Sequence, residues 1–135
     1  MARNRSTVPP DLWGVEKPVV GVVHLRPLPG SPRWGGSMQE VSARAVEEAA
    51  RLEEGGVDGV LVENFGDAPF YPGPVPPETV AAMAVVMGEV VGRASVPVGV
   101  NVLRNDAAAA LAVAVATGAR FLRVNVHTGV MFTDQ

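Results

Sequence analysis

The chain contains no cysteine, so it forms neither disulfides nor thiolate metal sites. Lys17 is its one lysine, and the rest of its positive charge is arginine. A formal net charge of -3 gives neither the basic surface of a nucleic-acid binder nor an acidic tail. The glycines between Gly30 and Gly36 match neither a GxGxxG nor a Walker spacing, so no nucleotide motif is present. The longest apolar run, residues 107–116, falls well short of the about 20 residues that span a bilayer. Residues 1–16 carry Arg3 and Arg5 without an apolar core and do not read as a secretory signal. These absences lead us to expect a soluble, cytoplasmic protein with no integral membrane segment and no nucleic-acid partner.

What is present suits one domain. The 135 residues are 47% apolar, enough for a sizeable core. Residues 1–17 are expected to form an N-terminal arm, with Asp11, Leu12 and Trp13 docking it as a short turn. Residues 18–25 are a compact β-branched run with little polar alternation, as expected of a parallel strand covered on both faces. The following segment, Arg26 to Gly36, holds three prolines and three glycines and must be a loop.

Ser37 and Glu40 form a capping box, and Met38, Val41, Ala45, Ala49 and Leu52 recur at helical spacing up to Gly55 and Gly56. Residues 57–64 read as a second strand. Pro77 opens a second helix whose inner face is Val80, Met83, Met87 and Val91. Residues 97–103 read as a third strand, Asn105 and Asp106 as the cap of an alanine-rich helix ending at Gly118, and residues 120–126 as a fourth strand. The order β-α-β-α-β-α-β with short connections is that of right-handed parallel crossovers.

There is weak internal repetition. The segment Gly56-Val57-Asp58-Gly59-Val60-Leu61-Val62-Glu63 aligns with Gly118-Ala119-Arg120-Phe121-Leu122-Arg123-Val124-Asn125. Such a two-unit repeat is what an alternating barrel would show. A closed eight-stranded barrel needs about 200 residues or more, so the chain is either a small open sheet or the front half of a longer barrel. The second is our expectation, with homo-oligomerisation or self-association through the open edges.

The chemistry-bearing residues gather where strands end. Residues two apart share a strand face. With apolar residues packed under helices, Glu63, Asn101, Arg123, Asn125 and His127 face inward. The first strand allows either Val22 with His24 or Gly21 with Val23, and His24 is placed inward because a histidine under the helices would lack partners. Asn64 ends the second strand, and Asp67, Arg104 and Asp106 lie on the loops above. A carboxylate beside two histidines and several amides suits general acid–base work or a divalent metal. We therefore expect Glu63, His24 and His127 in catalytic roles and Asn64, Asp67, Asn101, Arg104 and Asn125 in substrate binding. Each also has a plainer reading: a hydrogen-bonded structural histidine, helix caps at Asn105 and Asp106, and a buried ion pair between Arg123 and Glu63. The coincidence of bonding groups at all four strand ends favours a site.

Four segments resemble the BtpA/SgcQ family. They are Lys17-Pro18-Val19-Val20-Gly21-Val22-Val23-His24-Leu25 with Leu28-Pro29-Gly30-Ser31-Pro32; Val62-Glu63-Asn64-Phe65-Gly66-Asp67-Ala68-Pro69-Phe70; Gly99-Val100-Asn101-Val102-Leu103-Arg104-Asn105-Asp106; and Arg123-Val124-Asn125-Val126-His127-Thr128-Gly129. The resemblance implies an α/β fold: a (β/α) parallel barrel of TIM, ribulose-phosphate-binding type. Here it would be a half-barrel of four parallel strands and three helices over residues 18–135. It also implies either a barrel acting on or binding a small polar metabolite, phosphorylated sugar-like or nucleoside-like, or a non-catalytic factor in photosystem I assembly and stability.

Overall fold

The computed structural model describes residues 10–132. Residues 1–9 of the expected arm, and residues 133–135, lie outside it. The elements run α1 (Pro10–Trp13), β1 (Val20–His24), α2 (Met38–Glu54), β2 (Gly59–Glu63), a single 3-10 turn (Phe65–Asp67), α3 (Pro77–Val91), β3 (Val98–Asn101), α4 (Ala107–Thr117) and β4 (Phe121–Leu122). The four strands form one parallel sheet in the order β1-β2-β3-β4. Each strand is joined to the next through one long helix, so three helices cover one sheet face, as the half-barrel reading expected. Among the described residues the sheet does not close: β1 and β4 are its two edges.

Side-chain direction follows the period-two alternation, while β2 and β3 are buried on both faces. Val23, Val60, Val62, Val98 and Val100 point toward the helices and are 0 to 3% exposed. They meet Val41, Ala45 and Ala49 of α2, Ala82, Met83, Val86, Met87 and Val90 of α3, and Ala109, Ala110, Val113 and Ala114 of α4. Full burial of one such Val or Met side chain contributes about 1.5–3 kcal/mol relative to exposure, which fixes which sheet face the helices take. The inner stripe of α3 is rotated slightly from expectation. Met83 and Met87 are at its centre, whereas Val80 and Val91 are only partly buried.

The helix termini follow their sequence signals. The Ser37 hydroxyl accepts from the Glu40 N–H at 3.2 Å, and the Asp106 carboxylate accepts from the Ala109 N–H at 2.9 Å. Pro77 occupies the first turn of α3, where a missing N–H is no loss.

The opposite sheet face has three levels. At its base Trp13, delivered by α1, packs edge-on against Phe121 with ring centroids 4.8 Å apart. The Trp13 ring also covers Gly59. Above these, the Phe121 ring fills the space over Gly99, space that any side chain at residue 99 would need for itself. At the top, β1, β2 and β3 are in register, with His24 beside Glu63 and Glu63 beside Asn101.

The fourth strand is shorter than the 120–126 expected. Only Phe121–Leu122 pairs with β3. Beyond it, the Arg123 N–H still reaches the Val100 carbonyl at 3.0 Å. The chain then leaves the ladder. Asn105 holds it from the side, its Oδ1 accepting from the Val126 N–H at 2.8 Å and its Nδ2 donating to the Val126 carbonyl at 3.0 Å. A side-chain amide thus mimics a strand partner, which is why Asn105 clamps β4's continuation while the helix cap falls to Asp106 alone.

Candidate functional site

Glu63 ends β2 and is 5% exposed, an unusual place for a carboxylate. Burying it requires partners, and neighbouring strands supply them. His24 ends β1 and brings its Nε2 to 2.8 Å from Glu63 Oε1. Asn101 ends β3, and its Nδ2 donates to Glu63 Oε2 at 2.8 Å. The same amide donates to Asn125 Oδ1 at 3.2 Å, while Asn125 Nδ2 donates to the Arg104 carbonyl at 2.8 Å. Arg123 Nη1 stands 3.8 Å from Glu63 Oε2, at the outer limit of an ion pair. One acid, one imidazole, two amides and one guanidinium therefore meet at the carboxyl ends of four consecutive chain segments.

Two features leave this cluster usable. The His24 side chain is 51% exposed although its Nε2 contacts the buried acid, so part of the imidazole stays open to solvent. Phe65 stacks on that imidazole, with centroids 4.3 Å apart and planes 14° from parallel, which holds the ring's orientation. Phe65 was not singled out in the sequence; its signal was an aromatic two residues beyond a strand-end acid. Gly66 lets that turn approach the loop after β1. Its N–H donates to the Leu25 carbonyl at 3.0 Å, and a Cβ would lie 2.5 to 2.7 Å from backbone atoms of Leu25, Arg26 and Pro27.

Asn64 and Asp67 form a different cluster. Asn64 follows Glu63, so alternation turns it to the helix side of the sheet. Its Oδ1 accepts from the Leu103 N–H at 2.7 Å, and its Nδ2 donates to Asp67 Oδ2 at 3.1 Å. Asp67 Oδ1 accepts from the Leu28 N–H at 2.7 Å. These bonds tie the loops after β1, β2 and β3 together. Burial pushes the Asp67 carboxyl above its ordinary pKa, and the bonds from Leu28 and Asn64 offset this only in part. The Ser31 hydroxyl is buried near the same carboxylate, close enough to oppose that rise but without a well-formed hydrogen bond.

The remaining expected site residues lie farther out. Arg104 places its guanidinium over the Phe70 ring, 4.8 Å from the centroid. His127 is exposed on the loop after β4 and is not among the groups that contact Glu63. Among the described residues no three His, Asp or Glu side chains gather to hold a metal ion. The loops after β2 and β3 each contain a cis peptide bond, at Ala68–Pro69 and Leu103–Arg104.

Comparison with known proteins matches the BtpA family over residues 15–135, a span that takes in every strand and the whole cluster around Glu63. The chain belongs to the BtpA family. It is 57% identical to the photosystem I biogenesis protein BtpA of Synechocystis over 87% of this chain and 41% of that protein. An uncharacterized protein of Pyrococcus furiosus is 52% identical over 93% of this chain and 47% of its own length. The putative sgc region protein SgcQ of Escherichia coli is 41% identical over 92% and 46% respectively. The chain thus spans less than half the length of these relatives. No solved structure matches it. No helix among the described residues is long and apolar enough to cross a membrane.

Proposed function

We propose that this BtpA-family chain contributes a site at the carboxyl ends of its strands that binds or transforms a small polar metabolite, phosphorylated sugar-like or nucleoside-like. The single observation that carries this reading is the convergence of His24, Asn101 and Arg123 on the buried Glu63 carboxylate. A structural ion pair alone does not call for an exposed, stacked imidazole beside it. Glu63 is the proton acceptor, or one ligand of a divalent metal. His24, held by Phe65 and oriented by Glu63, moves a proton through its second ring nitrogen. Asn101 and Asn125 bind hydroxyl groups, and the Arg123 guanidinium suits a phosphoryl oxygen. His127 acts from the exposed loop after β4.

The test is a thermal-shift and calorimetric screen of sugar phosphates and nucleosides against the chain, repeated with Glu63→Gln and His127→Ala. A compound that binds the parent and loses at least tenfold in affinity to Glu63→Gln supports the site, since bonds to a charged partner contribute about 1.5–3 kcal/mol. Binding that is unchanged in both variants removes it.

A second reading rests on the name of the Synechocystis relative: a non-catalytic factor in photosystem I assembly or stability. Photosystem I accumulation in a cyanobacterial strain carrying Glu63→Gln in place of the parent residue separates the two. Full accumulation with lost metabolite binding favours the assembly role.

A further inference from the structure

On the helix side of the rim, away from His24 and Glu63, a pocket of about 310 Å³ opens between the loops after β1 and β2. Such a volume lies at the lower end of the range for small-molecule sites, roughly 300–1,000 Å³. Its wall is flat and apolar: Pro32, Pro69, Phe70, Tyr71, Val75 and Leu103 contribute most of it. Its polar groups are few and gathered, namely Ser31, Asn64, Asp67 and Thr79. That is the composition of a site that recognises a ring by its faces and orients it by one edge.

The charge of the lining narrows the ligand. Asp67 lines the pocket, and no Lys, Arg or His does. The Glu78 carboxylate lies beside Gly30, a lining residue, without itself lining the pocket. Outside the lining, Arg104 holds its guanidinium over the Phe70 ring, 4.8 Å from the centroid. An anionic ligand at the polar edge would face the Asp67 carboxylate, where no lining side chain carries a counter-charge. Each Asp67 oxygen is engaged by one donor, Leu28 N–H on Oδ1 and Asn64 Nδ2 on Oδ2. A carboxylate offers about four acceptor positions, so capacity remains for a ligand's N–H or O–H.

We infer that this pocket is a small-molecule site separate from the Glu63 cluster, taking an uncharged or cationic ring compound whose N–H or O–H donors reach the Asp67 carboxylate. It stands independently of the function proposed for the strand ends. Asp67, retained in a half-buried position at a cost in desolvation, gives the ligand an acceptor stronger than any neutral group there.

Three ring compounds of one size test the assignment: benzamidine (cationic), phenol (neutral) and benzoate (anionic). Each is titrated at pH 7 into the uniformly 15N-labelled chain and followed by amide chemical shifts. Benzamidine and phenol are expected to shift Ser31, Tyr71 and Thr79 at millimolar concentrations, and benzoate to leave them unchanged. Asp67→Asn is expected to weaken benzamidine roughly tenfold or more. Because that variant also loses a framework carboxylate, Tyr71→Ala, at a half-exposed position, provides a second arm and should weaken benzamidine and phenol alike. Circular dichroism confirms that each variant is folded, and if Asp67→Asn is not, the benzoate and Tyr71→Ala arms decide. Equal binding of benzoate, shifts confined to His24 and Asn101, or no shifts at all would overturn the assignment.

Discussion

His24 Nε2 lies 2.8 Å from Oε1 of Glu63, joining the last residues of two adjacent parallel strands. The distance follows from register: level backbone positions bring the two side chains to the same height on one face. In the neutral imidazole, the nitrogen facing a carboxylate must carry the proton. Long-range 1H–15N spectra should therefore show neutral His24 as its Nε2–H tautomer, with this preference weakened in Glu63→Gln. A dominant Nδ1–H form in the parent would contradict the contact.

Asn101 donates from one amide to both Glu63 and Asn125, so its loss leaves two acceptors short of a donor. Asn101→Ala should lower unfolding free energy by about 1–3 kcal/mol in urea titrations. Asn101→Asp should cost more, because it sets a second negative charge against the buried Glu63 carboxylate. If Asn101→Asp were as stable as Asn101→Ala, the repulsion account would fail.

Asp67 has a folded-state pKa above its ordinary value of 3.8, chiefly through burial. Between those two values the folded state binds more protons than the unfolded one. Its contribution is thus fully present at pH below the unfolded value and is lost as pH rises through the folded value. Carboxyl 13C shifts should give Asp67 a midpoint above 3.8. Across the same window, Asp67→Asn should gain stability relative to the parent as pH rises. A midpoint at or below the ordinary value would reverse the sign and contradict the burial account.

Both edges of the sheet, β1 and β4, lack a strand partner among the described residues. Val22 is 40% exposed on the inner face, and Leu111 and Val115 of α4 are exposed beside β4. Unpaired edges flanked by apolar surface favour association. Sedimentation velocity should show a concentration-dependent rise in mass. A monomer persisting at high concentration, with a high melting temperature, would show instead that the four-stranded unit is self-sufficient.

Residue patterning, read with capping boxes and the placement of Gly and Pro, was enough to determine the α/β order, the parallel strands and the helix-facing Val98 and Val100, while the faces of β1 stayed open to either reading. Those patterns act over a few residues and need no distant partner. Alternation also turns Glu63 and Asn64 to opposite sides, so grouping both with one rim site merged two clusters that the fold keeps apart. Only the tertiary structure decided that His24, Glu63 and Asn101 stand level, that Trp13 seals the lower end over Gly59, and that β4 stops at Leu122 while Asn105 holds Val126. Each of these depends on which segment lies beside which, and side-chain amides that bond distant backbone carry no local periodicity by which to be read.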